Sequence, residues 1–227
     1  MTVREEKKRW RRRLRAARSE QPADVRAARG AALAAAVVEL ARTLDPPARH
    51  RPICAYLPVD TEPGWAAGLD ALVAAGHEVL LPVVPPEPGP LDWARYEGPA
   101  ALGTGPIGLR AALGTGPIGL REPTGPRLGP AAIKRAVLVL VPALAADRRG
   151  VRIGQGGGYY DMTLPLAAPG TPLVVVLNDE ELVTELPVEP HDRRVTAALL
   201  AEAGLIEFVR SPSTTAPHST TPPDPTG

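Results

Sequence analysis

The sequence predicts an α/β protein, a three-layer α/β/α domain built around a largely parallel sheet. Apolar, β-branched runs at 53–57, 137–141 and 173–177 have the length and composition of buried strands. Helix-forming stretches lie between such runs, and Gly and Pro punctuate the junctions. Strands alternating with helices imply parallel pairing, because a parallel crossover needs a connection long enough to return across a sheet face.

In chain order, the first expected helix carries a dense basic run from Arg4 to Arg18, with Trp10 and Leu14 four apart on one stripe. Residues 19–22 break it, and 23–44, rich in Ala and Leu, reads as a second helix closed by Pro46 and Pro47. A β-α-β unit follows: strand 53–57, helix 65–75 capped by Gly76, and strand 78–84. The runs 137–141 and 173–177 are the central strands, and 195–200 and 205–209 are candidate edge elements.

Composition narrows the function classes. The chain has 227 residues, is 44% hydrophobic and carries a net charge of +1, so it has the apolar content of a globular protein and no bulk charge for a polyanion. A single domain over residues 1–210 is expected. The one cysteine, Cys54, permits neither an internal disulfide nor a zinc cluster and points to a reducing, cytoplasmic setting. The apolar stretches 31–38 and 136–146 are too short to span a bilayer. No nucleic-acid, membrane or protein partner is expected. Residues 100–110 and 111–121 repeat AALGTGPIGLR, which reads as a local insertion in a loop. The tail 211–227 is Ser-, Thr- and Pro-rich, without apolar periodicity, and is expected to be disordered.

The densest chemical signal is AADRRGVRIGQGGGYYD at 145–161. Gly154, Gly156, Gly157 and Gly158 let the backbone approach a ligand closely, and a helix opening at Tyr159 would aim N–H groups at an anion. The alternative is a flexible glycine loop; its place after a buried strand favours a phosphate cradle. It is neither a Walker A motif nor GxGxxG. The duplicated segment does match GxGxxG, but with an internal proline and no preceding strand it reads as a turn-rich loop. Asp161 could hold Mg²⁺ or simply favour a helix start, and Asp192, beside His191, is a second carboxylate. The basic N-terminus admits a solvated helix face, a nucleic-acid patch, or phosphate contacts; Lys7 and Arg11 share one side. Glu62, in LPVDTEPGW, could bind a polar heterocycle, and Trp65 reads as core or wall.

The order Lys7, Arg11, Arg18, then YLPVDTEP, VLLPVV, GLREP, LVPALAADRRGVRIGQGGGYYDMTL and LPVEPHD resembles the 5-formyltetrahydrofolate cyclo-ligase family up to about residue 210. The resemblance implies an ATP-dependent enzyme that closes 5-formyltetrahydrofolate to 5,10-methenyltetrahydrofolate with Mg²⁺. It matches Lys7, Arg11, Arg152, Ile153, Gly154, Gln155, Gly156, Gly157, Gly158, Tyr159 and Tyr160 to nucleotide binding. Leu57 and Glu62 match folate contacts, and Asp161 and Asp192 match metal ligands. Departures are Gly157, where some members have lysine, Thr196, where an acid is common, and the duplication before GLREP. Alternative readings are a relative with another substrate, a catalytically silent folate- or nucleotide-binding protein, and a nucleic-acid module built on the basic helix.

Overall fold

A computed structural model describes residues 1–44, 51–104 and 121–208. Seven strands form the central sheet. β1 (Ile53–Cys54), β2 (Val79–Val83), β6 (Leu138–Pro142), β9 (Leu173–Leu177) and β11 (Ala197–Leu200) run parallel, and β3 (Asp92–Arg95) and β12 (Gly204–Glu207) close the two edges antiparallel. The spatial order is β12-β11-β9-β6-β1-β2-β3. Registers such as Ile53 opposite both Val79 and Leu138 keep each side-chain face continuous across the strands.

Strict alternation divides the core in two. Ile53, Val79, Leu81, Leu138, Leu140, Val174, Val176 and Leu199 meet Leu33, Val37 and Ala41 of helix α2 (Ala23–Arg42) and Leu69 and Leu72 of α3 (Ala66–Ala74). Cys54, Leu80, Val139, Val141, Val175, Leu177 and Ala198 face the other way, onto Ala132 and Ile133 of the 3-10 turn Pro130–Arg135 and onto Leu164. The three-layer expectation therefore holds, with short helical turns rather than long helices covering the second face. Trp65 is core, as one of its two readings had it. Gly76 takes φ +87° and its N–H bonds Val73 O at 2.9 Å, the expected glycine cap of α3.

The expected strand 53–57 contributes only two ladder residues, because Pro58 and the turn at 59–62 take the chain off the sheet to form a loop above it. The ends of the duplication pair with each other. β4 (Leu102–Thr104), from the first copy, lies antiparallel to β5 (Arg121–Pro123), which begins on the last residue of the second. That part of the repeat is strand rather than loop. Residues 105–120, the cap at Pro46 and Pro47, and the tail 211–227 lie outside the described residues.

A small second sheet joins β7 (Ala145–Asp147), β8 (Arg152–Ile153) and β10 (Leu182–Val183). With Leu144, Val151 and Leu186 it forms a satellite apolar cluster that receives Leu14 of α1 (Val3–Glu20). This platform holds both α1 and the glycine loop. Helix α1 starts with a reciprocal cap: Glu5 N–H donates to Thr2 Oγ1 at 3.2 Å and Thr2 N–H to Glu5 Oε2 at 2.8 Å. Among the described residues no helix is long and apolar enough to cross a membrane.

Candidate active site

The chain enters the sheet at its middle. From β1 it proceeds outward through β2 and β3, then returns to β6 on the opposite side of β1 and continues through β9, β11 and β12. Loops leaving β1 and β6 therefore diverge, opening a crevice at their carboxyl ends. A cavity of about 560 Å³ lies there, within the range of small-molecule sites. Its walls come from Tyr56, Leu57, Val59 and Glu62 after β1, Leu81, Pro82 and Val84 of the β2 region, Pro142 ending β6, Glu122 of β5, and residues 154–161. Lys7 and Arg11 of α1 and the segment Glu189, His191, Asp192 complete it.

The buried stripe of α1 is basic. Lys7, Leu14 and Arg18 are buried and Arg11 is half-buried, at spacings of four, three and four that share one face. Trp10, as expected, shares a stripe with Leu14 and packs half-buried against the same satellite cluster, and Arg13 lies 3.9 Å over its ring. Lys7 Nζ bonds Asp192 Oδ2 at 2.6 Å and Glu189 Oε2 at 2.8 Å. Arg11 Nε donates to Gly154 O at 3.0 Å, and Arg15 donates to Gln155 Oε1 and Gln155 O, both at 2.9 Å. Arg18 reaches deeper, to Glu181 Oε1 at 2.6 Å, Glu181 Oε2 at 2.8 Å and Ala143 O at 2.6 Å. Carboxylates and carbonyls, more than apolar contact, set the position of this helix.

The glycine loop rises from β8. Ile153 points its side chain into the satellite cluster, so only its backbone can serve a ligand. Gly156 (φ +105°) and Gly158 (φ +73°) occupy backbone space that side chains disfavour, and a Cβ on Gly156 would sit 3.4 Å from Arg11 Nε. Gly158 caps α4 (Tyr159–Thr163), so Tyr159 does open a helix. That helix is a little over one turn, and Lys7, Arg11 and the loop line the same cavity as its first residues. Arg152 donates twice to Asp161 Oδ1 at 2.9 Å and once to Arg193 O at 3.1 Å, tying the loop's two ends together.

Facing this cationic wall are acids. Glu62 accepts from Val59 N–H and from Gln155 Nε2, each at 3.3 Å, so it touches the glycine loop directly. It is half-exposed through the cavity mouth, yet burial of its carboxyl pushes its pKa up, ahead of the lowering by those two hydrogen bonds. Burial likewise pushes up the phenols of Tyr56 and Tyr160, and Tyr160 Oη has no hydrogen-bond partner among the described residues. Glu189, His191 and Asp192 bring ligand atoms within 4.8 Å of one another, and the Lys7 hydrogen bond holds Glu189 below the usual carboxylate range.

Lys7, Arg11, Leu57, Glu62, Arg152, Tyr159, Tyr160, Asp161, Asp192 and the loop 154–158 thus line one cavity, and of the sequence-derived candidates Ile153 alone does not. Thr196 lies elsewhere, bridging β9 and β11 through Leu173 N at 2.9 Å. Sequence reasoning gave no site role to Glu181, Glu189 or Arg15, and reached Glu122 only as part of the GLREP segment, which resembles a substrate-side wall of the family. Arg15 was legible as the next turn beyond Arg11; Glu181 and Glu189 are recognisable only from partners far away in the chain.

The profile of the 5-formyltetrahydrofolate cyclo-ligase family matches residues 3–201. The chain belongs to that family. A 5-formyltetrahydrofolate cyclo-ligase of Mycolicibacterium smegmatis is 42% identical over 160 residues, covering 69% of this chain and 76% of the relative. One from Escherichia coli K12 is 28% identical over 152 residues, 66% of this chain and 78% of that protein. The solution structure of Aquifex aeolicus 5,10-methenyltetrahydrofolate synthetase superposes with a TM-score of 0.65 at 23% identity, covering 95% of this chain and 99% of that one. A Mycoplasma pneumoniae 5,10-methenyltetrahydrofolate synthetase gives 0.61 at 14% identity, covering 85% and 96%.

Proposed function

We propose that this chain cyclises 5-formyltetrahydrofolate to 5,10-methenyltetrahydrofolate with ATP, releasing ADP and phosphate. The observation that carries the reading is one cavity with two chemically distinct walls. Lys7, Arg11 and the glycine loop form a phosphate-facing side, and Leu57 with Glu62 forms a side for a polar, N–H-bearing heterocycle. The reaction needs both, because a formyl oxygen on N5 is amide-like and leaves poorly until it carries a phosphoryl group. The formyl oxygen attacks the γ-phosphorus and ADP departs; N10 then attacks the formyl carbon and loses its proton to solvent, and phosphate leaves with the oxygen as the bridge closes. Such chemistry depends on positioning and charge neutralisation more than on covalent help from the protein.

The residues divide this work. Arg11, fixed on Gly154 O, and Lys7 supply positive charge beside the loop, and N–H groups of 154–158 cradle phosphate oxygens. Glu62, held by Val59 N–H and Gln155, accepts from ring donors and turns N5 toward the phosphate side. Asp161 and Asp192 offer the hard oxygen donors Mg²⁺ prefers, and both line the cavity, so they fit as the residues that would hold it. Bound there, the ion would neutralise phosphate charge. Until then Arg152 and Lys7 compensate these two carboxylates. The Lys7–Asp192 pairing turns the inner face of α1 toward the site, which supports a role there over one on nucleic acid, and the lone buried Cys54 suits a cytoplasmic enzyme.

Purified protein mixed with 5-formyltetrahydrofolate, ATP and Mg²⁺ should develop the absorbance of the methenyl product, and omitting any one reagent should abolish it. Product formation that persists without ATP or in excess chelator overturns the proposal.

A further inference from the structure

We propose that Glu122 is a specificity-determining residue, its Oε2 accepting a hydrogen bond from the exocyclic amino group of the substrate's pyrimidine ring. This rests on the function proposed above. Glu122 lies on β5, lines the cavity and is 5% exposed. Its two oxygens differ. Oε1 accepts from Val84 N–H at 3.0 Å, which staples β5 to the end of β2 and fixes the carboxyl group. Among the described residues Oε2, fully buried, has no hydrogen-bond partner, and the cation nearest it, Arg127 Nη2, stands 3.9 Å away, beyond hydrogen-bonding distance. A buried carboxylate oxygen left without a donor is unfavourable unless a ligand supplies one. Leu81, Pro82 and Leu91 give the same cavity an apolar part against which a ring can lie. An exocyclic amino group carries two hydrogens and can satisfy two acceptors, and Glu62 and Glu122 are two of the carboxyl groups that line this cavity.

The test compares wild type, Glu122→Gln and Arg127→Met by calorimetric titration with 5-formyltetrahydrofolate, with an analogue bearing methyl in place of that amino group, and with ATP. Glu122→Gln keeps an acceptor for Val84 N–H but turns its amide N–H₂ toward the substrate's amino group. It should bind 5-formyltetrahydrofolate about ten- to a hundredfold more weakly, the loss of one hydrogen bond to a charged group. Its ATP affinity should change less than about twofold, and it should scarcely distinguish the two folates. Wild type should prefer the amino compound by about tenfold or more, and Arg127→Met should behave as wild type. Unchanged folate affinity in Glu122→Gln overturns the inference, as does the same loss in Arg127→Met, which would make Oε2 the partner of that arginine. Should Glu122→Gln fail to fold, the analogue decides on wild type: equal binding of the two folates overturns the inference. Wild type that binds no 5-formyltetrahydrofolate removes the proposed function and this inference together.

Discussion

Arg18 and Glu181 form a buried ion pair with both side chains nearly sealed from solvent. Replacing Arg18 with Met fills much of its volume but strips the carboxylate of its bidentate partner and leaves Ala143 O without that donor. Removing one member of a buried pair typically costs about 3–5 kcal/mol. Glu181 retains Asn178 N–H at 2.9 Å and Asn178 Nδ2 at 3.1 Å, so the lower end applies, about 3 kcal/mol. For a chain of this size each kcal/mol lowers Tm by about 2–4 °C, giving a fall of roughly 6–12 °C in a thermal melt followed by circular dichroism. Neutralising the stranded acid as well, in Arg18→Met/Glu181→Gln, should recover a substantial part of that loss. A drop below about 2 °C in the single variant, or a double variant no better than the single, would refute the reasoning. Because Lys7 and Arg11 ride on the same helix, the single variant should also bind ATP more weakly.

Three further outcomes are expected. Burial raises the folded-state pKa of Glu62 above its unfolded value, so its contribution is most favourable below the unfolded pKa and is lost as pH rises through the folded one; Glu62→Gln should therefore gain Tm over wild type near pH 8 but not near pH 4, while losing about tenfold or more in folate affinity. Equal Tm differences at both pH values would show that the carboxyl is solvated. Asp161→Asn keeps an acceptor for Arg152, so calorimetry should show a stability loss of only about 1 kcal/mol, whereas Mg²⁺-dependent turnover should fall severely; normal turnover would assign Asp161 to the ion pair alone. Gly156→Ala forces a side chain into φ +105° and against Arg11, so the KM for ATP should rise several-fold with the folate KM little changed, and steady-state kinetics showing the reverse would exclude the loop from phosphate binding.

The central strands were legible because 138–142 and 173–177 are unbroken apolar runs, a pattern that only a strand buried on both faces requires. β3 was not, since Asp92–Arg95 has charged residues at each end and becomes a strand only through its pairing with β2. Strands of two or three residues, such as β8 and β10, carry no periodicity at all. In the site, the density of glycine over 154–158 is enough by itself to mark the loop. The pairing of Lys7 with Asp192 across 185 positions had no local signature, nor did the environment of Glu122, which lines a cavity that exists only after β2, β5 and β6 are in place.

The separation between α1 and its anchors bears on how the enzyme is made. Helix α1 leaves the ribosome before its partners at Ala143, Gly154, Glu181 and Asp192, which lie 125–185 residues later. At about 5–20 residues per second the basic helix waits roughly 6–37 seconds, unpaired, while the segments that will hold it are synthesised. The proposed nucleotide side of the site is therefore among the last parts to assemble, and a nascent chain halted before Asp192 would carry the proposed folate wall without the lysine–carboxylate latch that seats the other half.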